Sequence, residues 1–201
     1  MNNIIIKTNR WLIALIVLVL FYSPYFFANH IAGNHFRIPF VLGEENIPFI
    51  PWTSVVYLSL FVQGFVVVHW MEKSVLPNVV KIMGIVVLVD FIVFLVFPTE
   101  YPRECYPNTN PFLCFVRCTD TAANCTPSLH VGTTLIFAAC YQHMRNSKLS
   151  KILFWGWSLA IIVSTLTTKQ HYMLDILAAT IITGVILYVA RKKLRPRGYN
   201  P

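Results

Sequence analysis

The stretch Cys125-Thr-Pro-Ser-Leu-His130 stands immediately before a long apolar run of the chain. Polar and ionisable groups at the mouth of a hydrophobic segment are costly unless they are paired or used. Pro127 suits the first position of a helix, so the sequence places Ser128 and His130 on an opening helical turn. The stretch therefore predicts both the start of a helix and one part of a functional site.

A second polar stretch, Thr167-Thr-Lys-Gln-His-Tyr-Met-Leu-Asp175, separates two apolar runs further along the chain. His171 and Asp175 are four residues apart, a spacing that puts an imidazole and a carboxylate on one face of a helix. An acid one turn inside a hydrophobic segment is disfavoured without a partner. We therefore expect these two side chains to be paired.

The amino-acid composition indicates which class of protein contains these two stretches. Of 201 residues, 56% are hydrophobic and only 12% are charged, and the mean hydropathy is +0.61. These values are typical of an integral membrane protein. The formal net charge of +8 resides in small clusters between apolar runs, which fits a membrane protein and argues against a nucleic-acid partner.

Apolar runs of about 20 residues, the length that crosses a bilayer core, predict six transmembrane helices. We expect an all-α polytopic membrane helix bundle in which residues 1–201 form a single domain. The first span resembles a signal peptide, but its length and the lack of a small-x-small cleavage site favour an uncleaved span. The predicted spans are about 11–31, 51–71, 79–97, 128–144, 152–168 and 172–190, with an extramembrane loop at 98–127.

Lys and Arg residues predict the orientation of these spans. Twelve of the sixteen fall on one side, and the other side has Arg37, Arg103, Arg117 and Lys169. The positive-inside rule then places both termini in the cytoplasm and both polar stretches near the outer surface. The small size and the lack of a soluble domain favour a bacterial inner membrane, with the site facing the periplasm.

Four of the five cysteines, Cys105, Cys114, Cys118 and Cys125, fall in the 98–127 loop. In an oxidising compartment we expect them to form two disulfides, with three possible pairings. Zinc is the alternative, but the spacings of eight, three and six intervening residues match no common structural zinc pattern. Compartment and spacing therefore favour disulfides.

The polar groups of the two stretches suit the binding of a phosphate group. A helix N-terminus offers unpaired N–H groups to an anion, and Ser128 adds a hydroxyl donor. His130 can present an imidazole toward the same anion. His171 paired with Asp175 has the form of an activated nucleophile or base.

Two cations and one acid within a span are further candidates. Lys169 is two residues before His171, and Arg103, just beyond the third span, offers a bidentate fork to phosphate oxygens. Together these groups indicate phosphoryl transfer that needs neither a metal nor another cofactor. Asp90 lies inside the third span and is a functional candidate by its position, with a structural hydrogen bond or packing as the alternative.

Pro127-Ser-Leu-His130, followed by Ser164-Thr, His171 and Asp175, resembles two signatures of the type 2 phosphatidic acid phosphatase superfamily. These are the second and third signatures, P-S-G-H and S-R-x5-H-x3-D. The resemblance implies a phosphohistidine on His171, whose ring Asp175 would orient.

The resemblance also assigns roles to the first stretch. It implies that His130 protonates the leaving oxygen and later activates the acceptor, and that Ser128 holds phosphate oxygens. The first signature of the family is K-x6-R-P, and Arg103 matches its arginine. The chain departs from the family pattern at four positions: Val96 replaces Lys and Glu104 replaces Pro in the first signature, Leu129 replaces Gly in the second, and Thr165 replaces Arg in the third.

The P-S-L-H variant is similar to the inositol phosphorylceramide synthase branch, whose members transfer a phospho-headgroup between lipids. We therefore expect a phosphatase or phosphotransferase that acts on a phosphorylated lipid at the outer face. The alternative is a headgroup transferase of the inositol phosphorylceramide or sphingomyelin synthase type, with a second lipid or alcohol as acceptor. A non-catalytic lipid-binding or transport protein is the third hypothesis, because the first signature is incomplete.

Overall fold

The computed structural model of this chain describes residues 12, 15, 18–19, 23–28, 36–41, 43–103, 110–120, 122–144 and 147–194. From residue 54 onward the described chain contains six α-helices: α1 (Ser54–Trp70), α2 (Leu76–Val96), α3 (Pro111–Thr119), α4 (Leu129–Met144), α5 (Lys148–Thr167) and α6 (Met173–Ala190). Short 3₁₀ turns at Glu44–Asn46, Pro51–Thr53 and Arg191–Leu194 and two strands, β1 (Phe36–Arg37) and β2 (Thr99–Glu100), accompany them.

Four of the helices are long and apolar enough to cross a membrane. They extend over Pro51–Trp70, Leu76–Val96, Lys148–Thr167 and Met173–Leu194, with 20 to 22 residues each. These ranges agree within a few residues with four predicted spans. The prediction of a helical membrane protein is therefore confirmed.

The other two predicted spans have different outcomes. Most of the first, 11–31, lies outside the described residues, which include a helical segment at 23–28. The fourth corresponds to α4, which has 16 residues and a length of about 24 Å. That length is less than a bilayer core of about 30 Å requires, so six spanning helices are not confirmed.

Helix starts follow from local sequence signals. Asn110 precedes Pro111, and its side-chain oxygen accepts a hydrogen bond from the Leu113 N–H at 2.8 Å. Ser147 caps α5 in the same manner, through the Ser150 N–H at 3.3 Å. Side-chain caps of this kind satisfy N–H groups that the helix itself leaves unpaired.

Helix α4 is the centre of the bundle and packs against α1, α2, α5 and α6. Gly132 allows close approach, because a Cβ there would lie 3.0 Å from Thr183 Oγ1 and 3.5 Å from Val86 Cγ1. Deeper in the bundle, Gln63 accepts from Thr134 Oγ1 at 2.6 Å and donates to Ser158 Oγ at 2.7 Å. This buried network joins α1, α4 and α5.

A layer of short elements covers one end of the bundle. The parallel strands β1 and β2 pair Phe36 with Thr99 and Arg37 with Glu100, and α3 follows in the segment predicted as a loop. The Ile50 N–H donates to the Thr167 carbonyl at 2.8 Å. This last hydrogen bond holds the end of α5, where the second polar stretch begins.

Asp90 is 1% exposed within α2. Neither of its carboxyl oxygens has a hydrogen-bond partner in the described part of the chain. A structural hydrogen bond is therefore absent among the described residues, which leaves packing or a functional role for Asp90, and Asp90 is not among the described residues that line the cavity presented below.

Candidate active site

The His171–Asp175 pair is present and buried. His171 Nδ1 lies 3.2 Å from Asp175 Oδ2, and the two residues are 8% and 0% exposed. The pairing differs from the expected helical face, because α6 begins at Met173 and His171 lies in the turn before it. The carboxylate therefore reaches back across the start of its own helix.

Asp175 is held by donors from three places in the chain. Its Oδ2 also accepts the Tyr172 N–H at 2.8 Å, and its Oδ1 accepts a hydrogen bond from Thr126 Oγ1. Its backbone carbonyl accepts the Ser128 N–H at 3.4 Å. The two polar stretches are therefore joined at one residue, although they are far apart in sequence.

The surroundings of His171 select its tautomer. Besides Asp175, Nδ1 lies 3.0 Å from the Cys125 carbonyl oxygen. A carboxylate and a carbonyl can only accept, so Nδ1 must have the proton. The lone pair of the neutral ring is then on Nε2, which is the nitrogen available as a nucleophile or base.

His130 stands opposite His171 on the first turn of α4. The two ring centroids are 6.4 Å apart. His130 Nδ1 lies 3.0 Å from the Tyr57 hydroxyl, whereas Nε2 has no hydrogen-bond partner among the described residues. Both histidines therefore have one nitrogen engaged by the protein and the other available.

A cavity of about 710 Å³ lies beside these two rings. Its described lining includes His130, His171 and Asp120, and most of the remaining wall is apolar. The apolar lining residues are Leu18, Val19, Phe26, Leu58, Phe61, Phe94, Phe115, Val116 and Leu129. Phe61 and Phe115 are also 44% and 57% exposed, so the cavity reaches the apolar outer surface of the bundle.

The three residues predicted to bind phosphate are placed differently from the histidines. Ser128 is fully buried at the start of α4, one residue before the helix begins, and its Oγ lies 3.5 Å from the Val131 N. Arg103 donates to the Asp120 carbonyl at 2.6 Å and to its carboxylate at 3.1 Å. Lys169 is half-buried in the turn before α6, with a φ of 55°. None of the three is among the described residues that line the cavity.

The family model described as PAP2 superfamily matches residues 34–189. The chain belongs to the PAP2 superfamily. Members of this superfamily are generally phosphatases or phosphotransferases, so the match supports chemistry of that type for this PAP2 protein. No curated protein and no solved structure matches the chain.

The predicted pair of disulfides is wrong for the cysteines that the structure describes. Cys118 and Cys125 have free thiols, and Cys105 lies outside the described residues. Cys125 is buried beside the site, where its thiol lies 3.1 Å from the Ala122 carbonyl oxygen. The spacing of the four cysteines grouped Cys125 with the other cysteines of the loop. It did not indicate that Cys125 lies beside the site.

Three buried side chains in the described structure have the chemistry of metal ligands. Single ligand atoms of Cys125, His171 and Asp175 all lie within 4.8 Å of one another. Burial raises the pKa of the Cys125 thiol, which favours the neutral thiol over the thiolate that binds metals. The facing atoms of His171 and Asp175 are already hydrogen-bonded to each other, so the group is better suited to orienting His171.

Sequence reasoning missed two residues of this region. Tyr57, on α1, contacts His130. Glu44 is 2% exposed, and its Oε1 accepts the Met173 N–H at 2.9 Å, which satisfies a free donor at the start of α6. Both reach the site from segments distant in sequence, and neither belongs to a recognisable motif.

Glu44 gives a pH-dependent prediction. Burial raises the pKa of its carboxyl above the ordinary value of 4.5, and the Met173 N–H and the Lys169 charge act in the opposite direction. The folded state therefore holds this proton more tightly than the unfolded state. The stabilising contribution is complete below pH 4.5 and is lost as the pH rises through the folded-state pKa.

Glu44→Gln keeps an acceptor for the Met173 N–H and removes this titration. The apparent Tm of the variant relative to the wild type should therefore increase with pH when thermal unfolding is followed in detergent. Glu45→Gln, which changes an exposed neighbour, is the control and should show no such trend. A difference between Glu44→Gln and the wild type that stays constant or shrinks with rising pH would contradict this account.

Proposed function

We propose that this PAP2 protein is a metal-independent phosphatase or phosphotransferase that acts on a phosphorylated lipid through a phosphohistidine on His171. The main support is the geometry of His171, which is oriented by Asp175 at 3.2 Å and faces His130 beside an apolar cavity. The distribution of Lys and Arg supports a site at the outer face of a bacterial inner membrane.

The first chemical step forms a bond between His171 Nε2 and phosphorus. As this bond forms, the bond from phosphorus to the leaving oxygen breaks, and His130 Nε2–H gives its proton to that oxygen. Asp175 stabilises the positive charge that develops on His171. In the second step His130 takes a proton from water or an alcohol, which attacks phosphorus and releases His171.

The cavity supports a lipid as the substrate. Its volume of about 710 Å³ is within the range of pockets that enclose most of a ligand. Apolar side chains form most of its wall, and some of them are also exposed on the surface that would face lipid. A lipid can therefore place its phosphate between the histidines and its chains against the aromatic wall.

A headgroup transferase is the second candidate, and the charge of the site favours it. No Lys or Arg is present among the described residues that line the cavity. Arg103 is paired with Asp120, and Val96 and Thr165 stand where the family has Lys and Arg. A phosphodiester has one negative charge, so it needs fewer cations than the dianion of a phosphate monoester.

These two candidates differ in their products. The purified protein should be incubated with dioctanoyl phosphatidic acid, or with a lipid phosphodiester and diacylglycerol. Release of inorganic phosphate from the monoester identifies a phosphatase, whereas a new phosphodiester lipid with little free phosphate identifies a headgroup transferase. Neither product, from a folded protein supplied with a panel of both classes, would favour the non-catalytic hypothesis.

The histidine mechanism gives a direct mutational prediction. His171→Asn should abolish turnover, because it removes the ring nitrogen that forms the covalent intermediate. Asp175→Asn should lower kcat on the order of 1,000-fold or more, because it removes the carboxylate that orients and stabilises the ring. His69→Asn, which changes a histidine near the opposite end of α1, is the control. If His171→Asn turned over substrate at the rate of His69→Asn, that result would contradict the phosphohistidine mechanism.

The cavity gives a separate prediction about the lipid chain. Val116→Trp should fill part of the cavity and lower kcat/KM for dioctanoyl phosphatidic acid by about tenfold or more, because each methylene excluded from the pocket costs about 0.8 kcal/mol. The effect on the chainless substrate p-nitrophenyl phosphate should be small. Phe112→Trp is the matched control, because Phe112 is on the same helix but exposed. Equal losses of kcat/KM for both substrates in Val116→Trp would contradict the placement of the lipid chain in this cavity.

A further inference from the structure

We propose that Tyr57 is the positioning residue for His130 and that its hydroxyl oxygen accepts the Nδ1–H of that ring throughout the reaction. The proposal rests on the proposed function, since it takes His130 to be the acid and base. It adds a residue from α1 that belongs to none of the motifs identified in the sequence.

Two contacts hold the His130 ring against Tyr57. The hydroxyl oxygen lies 3.0 Å from Nδ1, and the ring centroids are 3.9 Å apart with an interplanar angle of 25°. Tyr57 is only 2% exposed and lines the same cavity as His130. A buried ring with these contacts restricts both the position and the rotation of the imidazole.

The contacts with Tyr57 leave the other nitrogen of the His130 ring, Nε2, available to a ligand. His130 Nε2 is buried and has no hydrogen-bond partner in the described part of the chain. A buried nitrogen without a partner is unfavourable unless it serves a ligand. Because Tyr57 occupies Nδ1, Nε2 is the atom available to the leaving oxygen and later to the acceptor.

Tyr57 also differs from the partner of His171 in charge. Asp175 is an anionic acceptor that favours positive charge on His171, as a nucleophile requires. A phenol hydroxyl is a neutral acceptor, so it can hold the Nδ1–H of His130 without adding negative charge that would retain the Nε2 proton. The two histidines are therefore suited to different tasks by their partners.

The proton balance is simple under this assignment. With the phosphorylated substrate bound, His130 begins with protons on both nitrogens, the Nε2 proton having come from water or from the phosphate itself. As the bond between phosphorus and the leaving oxygen breaks, the Nε2 proton passes to that oxygen and the N–H electron pair stays on Nε2. In the second step Nε2 takes the proton of the attacking water or alcohol. Nδ1–H donates to Tyr57 at every stage.

A substrate-independent experiment tests the position of the protons. Without substrate, protein labelled with ¹⁵N-histidine in nanodiscs should show neutral His130 with its proton on Nδ1, the signal being assigned by its loss in His130→Gln. Tyr57→Phe keeps the stacked ring and should shift that signal toward the Nε2–H tautomer. Tyr141→Phe removes a hydroxyl from α4, where the ring stacks on Phe154 at 4.0 Å, and should leave the signal unchanged.

A kinetic experiment tests the consequence for catalysis. Tyr57→Phe should lower kcat/KM roughly tenfold or more for dioctanoyl phosphatidic acid, whose alkoxide must be protonated as it leaves. It should have much less effect on p-nitrophenyl phosphate, whose leaving group needs no proton. A general structural defect would lower both values together, and Tyr141→Phe should lower neither.

The outcomes separate this proposal from the proposed function. A His130 signal that is the same in Tyr57→Phe and in the wild type would overturn the role of Tyr57, whatever the activity. Equal losses of kcat/KM for the two substrates would also overturn it. Unchanged turnover in His171→Asn would instead overturn the histidine mechanism, while the ¹⁵N spectrum would still decide whether Tyr57 positions His130.

Discussion

The buried carboxylate of Asp175 is the constraint on which the site depends. It is fully removed from solvent, and burial of a charge is tolerated only when donors surround it. Those donors are His171, Tyr172 and Thr126. Because Thr126 belongs to the segment before α4, satisfying this one group brings the starts of α4 and α6 together.

This arrangement explains why two histidines of different character lie side by side. His171 donates to Asp175 and to the Cys125 carbonyl, which leaves Nε2 as its free nitrogen. His130 has the neutral hydroxyl of Tyr57 at its Nδ1. The difference between an anionic and a neutral partner is what separates a nucleophile from an acid and base in the proposed mechanism.

Much of this could be predicted from the sequence because it depends on local patterns. Apolar run length indicated α1, α2, α5 and α6, and the spacing of His171 and Asp175 indicated their pairing. The resemblance of the two signatures indicated the superfamily, which the match over residues 34–189 confirms.

The remainder depends on contacts between distant segments, which no local pattern encodes. Arg103 lies where a phosphate ligand was expected, but Asp120 from the end of α3 binds it. Tyr57 and Glu44 reach the site from segments with no motif, and Cys125 is buried beside His171 instead of forming a disulfide. Helix α4 has the predicted bounds within one residue, but its central place among α1, α2, α5 and α6 also depends on contacts between distant segments.

The central claim is that His171 becomes covalently bound to phosphorus. Rapid acid-free denaturation of the protein during turnover of a ³²P-labelled lipid, followed by peptide mapping, tests it most directly. We expect an acid-labile, alkali-stable label on the peptide that contains His171, and its loss in His171→Asn. Turnover without any label on that peptide, or a label on another residue, would contradict the claim.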